Sequence, residues 1–248
     1  MPVTARAPAM TILALKNVSK SFGALKVTQD VTFELAAGEA LGVIGPNGAG
    51  KSTLFNLITG NVQVDSGVVE FAGEDVTRHP PMKRCLAGVG RTFQIPQPFE
   101  KLTVFENLLV AAAFGSQKSE RDAAARCAEI LDETGLANRA NALAGGLSLL
   151  QRKRLELARA MATAPRLLLL DEIAGGLTEG ECAQLVATIR SIHASGVSII
   201  WVEHVLHALN SVVSRLIVLN FGKVIGDGRP DEIMASKQVR EIYLGLEV

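Results

Sequence analysis

The sequence predicts an α/β fold: a mainly parallel sheet covered on both faces, with an all-helical insertion, and three observations carry that prediction. An uninterrupted apolar run at 40–44 and further apolar runs at 167–170, 197–202 and 216–219 read as buried strands. The runs end in polar or glycine-rich turns and alternate with helical patterns, the signature of strands joined by crossover helices. Between about Val104 and Ala162 the periodicity is helical throughout, which places a helical unit inside the sheet domain.

Each element follows from its local pattern. From Ile12 to Leu35 apolar and polar residues alternate, with Val31, Phe33 and Leu35 on one side and Thr32 and Glu34 on the other, as in a half-buried strand. Ala40–Ile44 ends in Gly45 and leads into Leu54, Leu57 and Ile58 at helical spacing, so this stretch reads as strand, glycine-rich turn, helix. Val68–Phe71 is a further strand. In the insertion, Phe105, Leu108 and Leu109, then Ala128, Ile130 and Leu131, then Leu155, Leu157 and Ala158 mark successive helices.

Bulk properties narrow the function. A chain of 248 residues can bury a substantial core as one large domain or a domain with a modest insertion. Its 25 basic and 25 acidic residues cancel, so no global positive field draws it to nucleic acid, and no nucleic-acid partner is expected. Cys85, Cys127 and Cys182 lie far apart without metal-like spacing, which points to a reducing compartment. Met1–Met10 lacks an apolar signal region, and no apolar stretch reaches the ~18 residues of a spanning helix. A soluble polypeptide that meets a membrane only through partners is expected.

The decisive segment is Gly45-Pro46-Asn47-Gly48-Ala49-Gly50-Lys51-Ser52-Thr53, which fits GxxxxGK[ST] and lies between the predicted strand and helix. Its glycines let successive N–H groups turn inward, and the helix start near Lys51 adds a positive dipole end to the same anion site. Lys51 can then reach the β- and γ-phosphates of a nucleotide, and the Ser52 hydroxyl can bind Mg²⁺. Leu167–Leu170 ends in Asp171 and Glu172, placing two acids at the carboxyl edge of the sheet, where open α/β folds bind ligands. There Asp171 is suited to hold Mg²⁺ through a water and Glu172 to polarise the attacking water as general base.

With Lys51, Asp171 and Glu172 in place, the chain resembles the ABC-transporter nucleotide-binding domain over nearly its whole length. The resemblance implies a P-loop NTPase (RecA-like) core with an N-terminal antiparallel β subdomain and an inserted α-helical subdomain, spanning 11–248. Residues 11–95 and 163–221 are then the β subdomain plus core, 96–162 the helical subdomain and 222–248 a C-terminal extension. Arg91-Thr92-Phe93-Gln94 resembles the Q-loop, whose Gln94 would touch Mg²⁺ and the attacking water. Phe22 of Ser21-Phe22-Gly23 matches the aromatic that stacks on adenine, His204 of Trp201-Val202-Glu203-His204 the switch histidine, and Gly175-Gly176-Leu177-Thr178 the D-loop between subunits. Taken without the family frame, Phe22 reads as a core aromatic and His204 as a strand-end histidine.

The signature motif departs from the family. The usual LSGGQ reads Leu147-Ser148-Leu149-Leu150-Gln151, so Ser148 remains and two glycines become leucines. In the family this helix N-terminus caps the γ-phosphate held by the opposite subunit, and leucine Cβ atoms restrict and crowd that approach. An alternative register, Leu143-Ala144-Gly145-Gly146-Leu147, lies about one helical turn earlier. The Arg152–Arg154 run reads as a solvated helix face. Two such domains pair head to tail in the family, so the site this chain completes for a partner is expected to hydrolyse slowly, whereas its own is competent.

Arg91–Gln94, Leu102–Leu109, Val202–His204 and Tyr243-Leu244-Gly245 are similar to the importers of branched-chain and other hydrophobic amino acids that use two ATPases. That implies ATP and Mg²⁺ as ligands and a second ABC ATPase as partner in a hetero- or homodimer. It further implies two integral membrane permease subunits, an extracytoplasmic solute-binding protein met indirectly, and a peripheral place on the cytoplasmic face of the inner or plasma membrane. A soluble ABC ATPase not coupled to transport is the competing class. Its chromosome-maintenance form needs a long coiled-coil insertion and its translation form a tandem second half, and neither is in this sequence. A GTPase lacks support because no NKxD motif occurs.

Overall fold

The computed structural model describes residues 10–116 and 120–244; the Met1–Met10 reading, Met10 apart, and Gly245 of the C-terminal motif lie outside them. Along the chain run β1 (Thr11–Phe22), β2 (Leu25–Ala36), β3 (Ala40–Ile44), α1 (Lys51–Thr59), β4 (Ser66–Phe71), β5 (Glu74–Asp75), α2 (Pro81–Ala87) and β6 (Val89–Arg91). The helices α3 (Val104–Gly115), α4 (Glu120–Glu133) and α5 (Leu149–Ala162) follow. After them come β7 (Leu167–Asp171), α6 (Glu179–Ala194), β8 (Ser198–Val202), α7 (Leu206–Asn210), β9 (Arg215–Asn220), β10 (Lys223–Gly228), α8 (Pro230–Ala235) and α9 (Lys237–Leu244).

Two sheets result. The alternating segment 11–36 folds back on itself as β1 and β2 and joins an antiparallel sheet of order β2-β1-β4-β5. The apolar runs instead enter a six-stranded sheet of order β10-β9-β3-β8-β7-β6, parallel except for β10. Its central strands are buried on both faces, which is why their sequences show no polar alternation. Leu41, Val43, Leu167, Leu169, Ile200, Val202, Ile217 and Leu219 pack toward the antiparallel sheet and α1. Ala40, Ile44, Leu168, Leu170, Ile199, Trp201, Leu216 and Val218 pack toward α3–α6 on the other side. Each fully buried branched aliphatic side chain contributes about 1.5–3 kcal/mol, so this alternation fixes the register strongly.

The helices start where side chains supply caps. Thr103 with Glu106, Ser148 with Gln151, and Thr178 with Glu181 form reciprocal capping boxes at the starts of α3, α5 and α6. Helix α1 differs: Gly50, at φ 104°, is its N-cap, with no side-chain cap bond. Its far end is closed by Arg84, a buried guanidinium that donates to the Leu57 and Ile58 carbonyls at 2.7 and 2.8 Å.

Candidate functional site

Strand order brings the predicted site residues together. In register, Val43 of β3 pairs with Val202 of β8, and Val202 pairs with Asp171 of β7. The loop after β3, Glu172 after β7 and His204 after β8 therefore leave the same sheet edge side by side, and β6, next to β7, sends out the segment bearing Gln94. A cleft of about 650 Å³ opens there, lined by Asn47, Gly48, Ala49, Gly50, Lys51, Ser52, Thr53, Gln94, Glu172 and His204, with Leu25 and Val27 of β2.

The loop is wound around its own lysine. Lys51 is buried, and its Nζ donates to the carbonyls of Gly45 at 2.7 Å and Pro46 at 3.0 Å. Burial pushes its pKa below the ordinary value, opposed by the negative charges of Glu172 and Asp171. A partly desolvated ammonium, at the start of a helix whose N-cap contributes no side-chain bond, suits a polyphosphate. Close packing dictates two of the glycines: a Cβ on Gly45 would lie 2.2 Å from the Leu219 carbonyl oxygen, and one on Gly50 would lie 2.6 Å from that of Val27.

Glu172 is the convergence point. Its N–H still donates to the Val202 carbonyl at 2.9 Å, but its φ of 46° turns the chain sharply out of the sheet. Gln94 Nε2 then donates to one carboxylate oxygen at 2.6 Å, and His204 Nε2 lies 3.0 Å from the other. Glu172 thus shares the cleft with the loop.

Asp171 sits deeper and does not line the cleft. Its carboxylate pairs with Arg91 at 2.8 Å, with both side chains under one tenth exposed. Arg91 also donates to Asn56 at 2.6 Å and lies 5.5 and 5.0 Å from the Phe55 and Phe93 ring centres. The hard oxygen donors of Ser52, Gln94 and Asp171 fit Mg²⁺. With Asp171 set back and already paired, a water-bridged contact suits it better than a direct one.

Other expectations fall at the periphery. Phe22 is half exposed, with the Lys20 ammonium 5.5 Å from its ring, rather than in the core, and the apolar wall of the cleft comes from Leu25 and Val27. Ser148 is the N-cap of α5, while Gly145 and Gly146 of the alternative register form a separate 3₁₀ turn. Leu149 is nearly half exposed, Leu150 packs against the core, and Gln151 is engaged in its cap. Gly176, at φ 76°, and Leu177 lead to Thr178, the N-cap of α6.

The solvated-face reading of Arg152–Arg154 is corrected. Arg152 donates to the Gly145 and Leu147 carbonyls, Lys153 is buried with its Nζ 3.4 Å from the Glu172 carbonyl, and Arg154 bonds Gln184. These charges are absorbed because α5 is enclosed by the signature loop, the Glu172 turn and α6 rather than lying on the surface. Sequence reading also missed Arg91 as partner of Asp171, and Glu203, whose buried carboxylate accepts from the N–H groups of Ala174 and His204 at 3.0 Å each. A buried acid at a strand end, before a histidine, was the available signal for Glu203.

The ABC transporter family matches residues 28–175. The branched-chain amino acid transport ATP-binding protein BraF of Pseudomonas aeruginosa is 36% identical, covering 94% of this chain and 98% of BraF. The lipopolysaccharide export ATP-binding protein LptB of Haemophilus influenzae is 31% identical over 95% of this chain and 98% of LptB. Among solved structures, the ADP conformation of MJ1267, an ATP-binding cassette of an ABC transporter, superposes with a TM-score of 0.87 at 32% identity, covering 96% of this chain and all of that one. The chain belongs to the ABC transporter family, as an ATPase of the ATP-binding kind.

Proposed function

We propose that this ATPase powers the import of branched-chain or related hydrophobic amino acids, with Glu172 as general base at its own nucleotide site. The convergence of Gln94 and His204 on the Glu172 carboxylate, in a cleft walled by residues 47–53, carries the reading. Lys51 and the α1 N-terminus bind and neutralise the phosphates, and Gln94 and His204 orient the carboxylate that takes a proton from the attacking water. Ser52, Gln94 and Asp171 would hold Mg²⁺, which would neutralise charge on the phosphates when bound. Phe22, Leu25 and Val27 offer the base an apolar surface.

The partners follow from the same reading. A second ABC ATPase presents its signature segment to this cleft, while Ser148–Gln151 and the Gly176–Thr178 turn face the partner's nucleotide. Two permease subunits receive the motion, at the cytoplasmic face of the membrane; no helix among the described residues is long and apolar enough to cross one. A cleft of about 260 Å³ between the core and helices α3 and α5, walled by Phe93, Ala111, Glu156 and Arg159, suits a cytoplasmic permease loop. Exposed Phe99, its ring 5.2 Å from Arg159 of that cleft, extends the apolar surface, and residues 96–162 move as the transmitting subdomain. Sequence similarity to BraF favours amino-acid cargo, and similarity to LptB makes lipid export the reading to exclude.

The test is to purify the membrane complex and measure ATP hydrolysis against candidate solutes delivered with the extracytoplasmic binding protein. Stimulation by leucine, isoleucine or valine, lost in Lys51→Ala, is expected. Stimulation by lipopolysaccharide alone, or undiminished hydrolysis in Lys51→Ala, would overturn the proposal.

A further inference from the structure

Lys153 connects the signature-bearing helix to the turn that carries the hydrolytic acid. It lies about 1.4 turns beyond Ser148 on α5 and is 3% exposed, and its Nζ approaches the Glu172 carbonyl at 3.4 Å. Across the same junction, Glu203 is 1% exposed and accepts from Ala174 N–H at 3.0 Å, His204 N–H at 3.0 Å and Val205 N–H at 3.4 Å. A carboxylate buried this deeply needs both hydrogen bonds and an opposite charge. Lys153 lies within the field of that carboxylate: burial lowers its pKa, and the charges of Glu203 and Glu172 act against the lowering.

Glu172, at φ 46°, occupies left-handed backbone space that is unfavourable for a residue with a Cβ, so neighbouring contacts must hold it there. Lys153 takes its carbonyl, and Glu203 takes the N–H of Ala174 just beyond it. The same Glu203 holds the N–H of His204, whose ring meets the Glu172 carboxylate.

We propose that Lys153 is a positioning residue for ATP hydrolysis: with Glu203 it clamps the 172–174 turn so that the Glu172 carboxylate stays against Gln94 and His204. The inference rests on Glu172 being the base. In the proposed dimer the start of α5 faces the partner's nucleotide, and Lys153 on that helix holds this chain's own acid. The clamp therefore links the two sites, and a Cβ placed on Gly176 would meet Leu149 Cδ2 at 3.4 Å, so the start of α5 also lies beside that loop.

The experiment uses the complex of this chain with its partner subunits, with the partner ATPase's own glutamate changed to Gln so that only this chain's site turns over. Lys153→Met is expected to lower kcat about tenfold, with KM and ATP affinity within about twofold of wild type. Lys153→Arg, which can still donate to the carbonyl, is expected to recover most of the lost rate. Wild-type kcat in Lys153→Met, while Glu172→Gln is inactive, would overturn the role of Lys153 and leave that of Glu172 standing. Normal turnover in Glu172→Gln would instead remove the reading beneath it. If Lys153→Met does not fold, Lys153→Met/Glu203→Gln removes both buried charges together. That variant is expected to fold and remain slow, and full activity in it would refute the clamp.

Discussion

Replacing Arg91 by Met is expected to destabilise the chain by about 3 kcal/mol while keeping its aliphatic volume. The pair it forms with Asp171 is 2.8 Å long, with side chains 9% and 7% exposed. Removing one partner of a buried pair typically costs ~3–5 kcal/mol, because the remaining charge stays desolvated. The hydrogen bond to Asn56 adds ~0.5–1.5 kcal/mol, and the flanking Phe55 and Phe93 rings ~0.5–1 each. Against these stand the favourable packing of Met between two rings and release of the buried, unpaired Arg91 Nε–H, which returns ~1–3 kcal/mol. For a domain of this size, 3 kcal/mol corresponds to a Tm lower by about 6–12 °C.

The sharper readout is the response to ligand. In Arg91→Met, Asp171 loses its paired guanidinium and the Mg²⁺ that arrives with ATP can take over that role, so the nucleotide restores an interaction that wild type already has. Measured by scanning calorimetry in the non-hydrolysing Glu172→Gln background, the Tm rise on adding Mg·ATP should exceed that of the Arg91-containing parent, whereas ATP with chelator should raise both equally. A Tm within about 2 °C of the parent and an unchanged Mg²⁺ increment would refute a buried, competing ion pair.

Three further outcomes are expected. Gly50→Ala forces a Cβ toward the Val27 carbonyl at a φ of 104°, so it should cost ~2–4 kcal/mol in urea unfolding and abolish ATP binding; wild-type affinity would show that the loop tolerates a shift. Glu106 and Glu181 are held below the usual carboxylate pKa by the backbone N–H groups and then the hydroxyls of Thr103 and Thr178. A lowered folded-state value means stability that is fully present above about pH 4.5 and lost as pH falls below that through the lower folded-state pKa, so Glu106→Gln/Glu181→Gln should show a shallower acid loss of denaturation midpoint, and an unchanged slope would contradict it. Leu149→Gly/Leu150→Gly, assayed with this chain's own site silenced by Glu172→Gln, should raise turnover at the partner's site at a helix cost of up to ~1 kcal/mol per glycine; no rise would show that the leucines do not limit that site.

How much of this was legible in the sequence depended on whether a signal was local. The loop at 45–53 and the acids at 171 and 172 announce themselves because strand, turn and helix chemistry sit within a few residues of one another. The convergence on Glu172 was not local: it follows from β3, β8 and β7 being neighbours, an order that residues 43, 171 and 202 state only once paired. Arg152–Arg154 exposes the limit most clearly. A basic triplet on a helix has low prior odds of burial, and periodicity alone leaves it in water. Its fate was decided by what encloses α5: a signature loop whose carbonyls bind Arg152, a left-handed turn whose carbonyl meets Lys153, and a helix, α6, that offers Gln184 to Arg154. The two backbone acceptors stand where they do because Glu172 bends the chain out of the sheet and Ser148 starts the helix. Charge at such positions reports on the irregular backbone around it, and a buried lysine beside a strained acid is therefore a clue to where an enzyme stores its geometry.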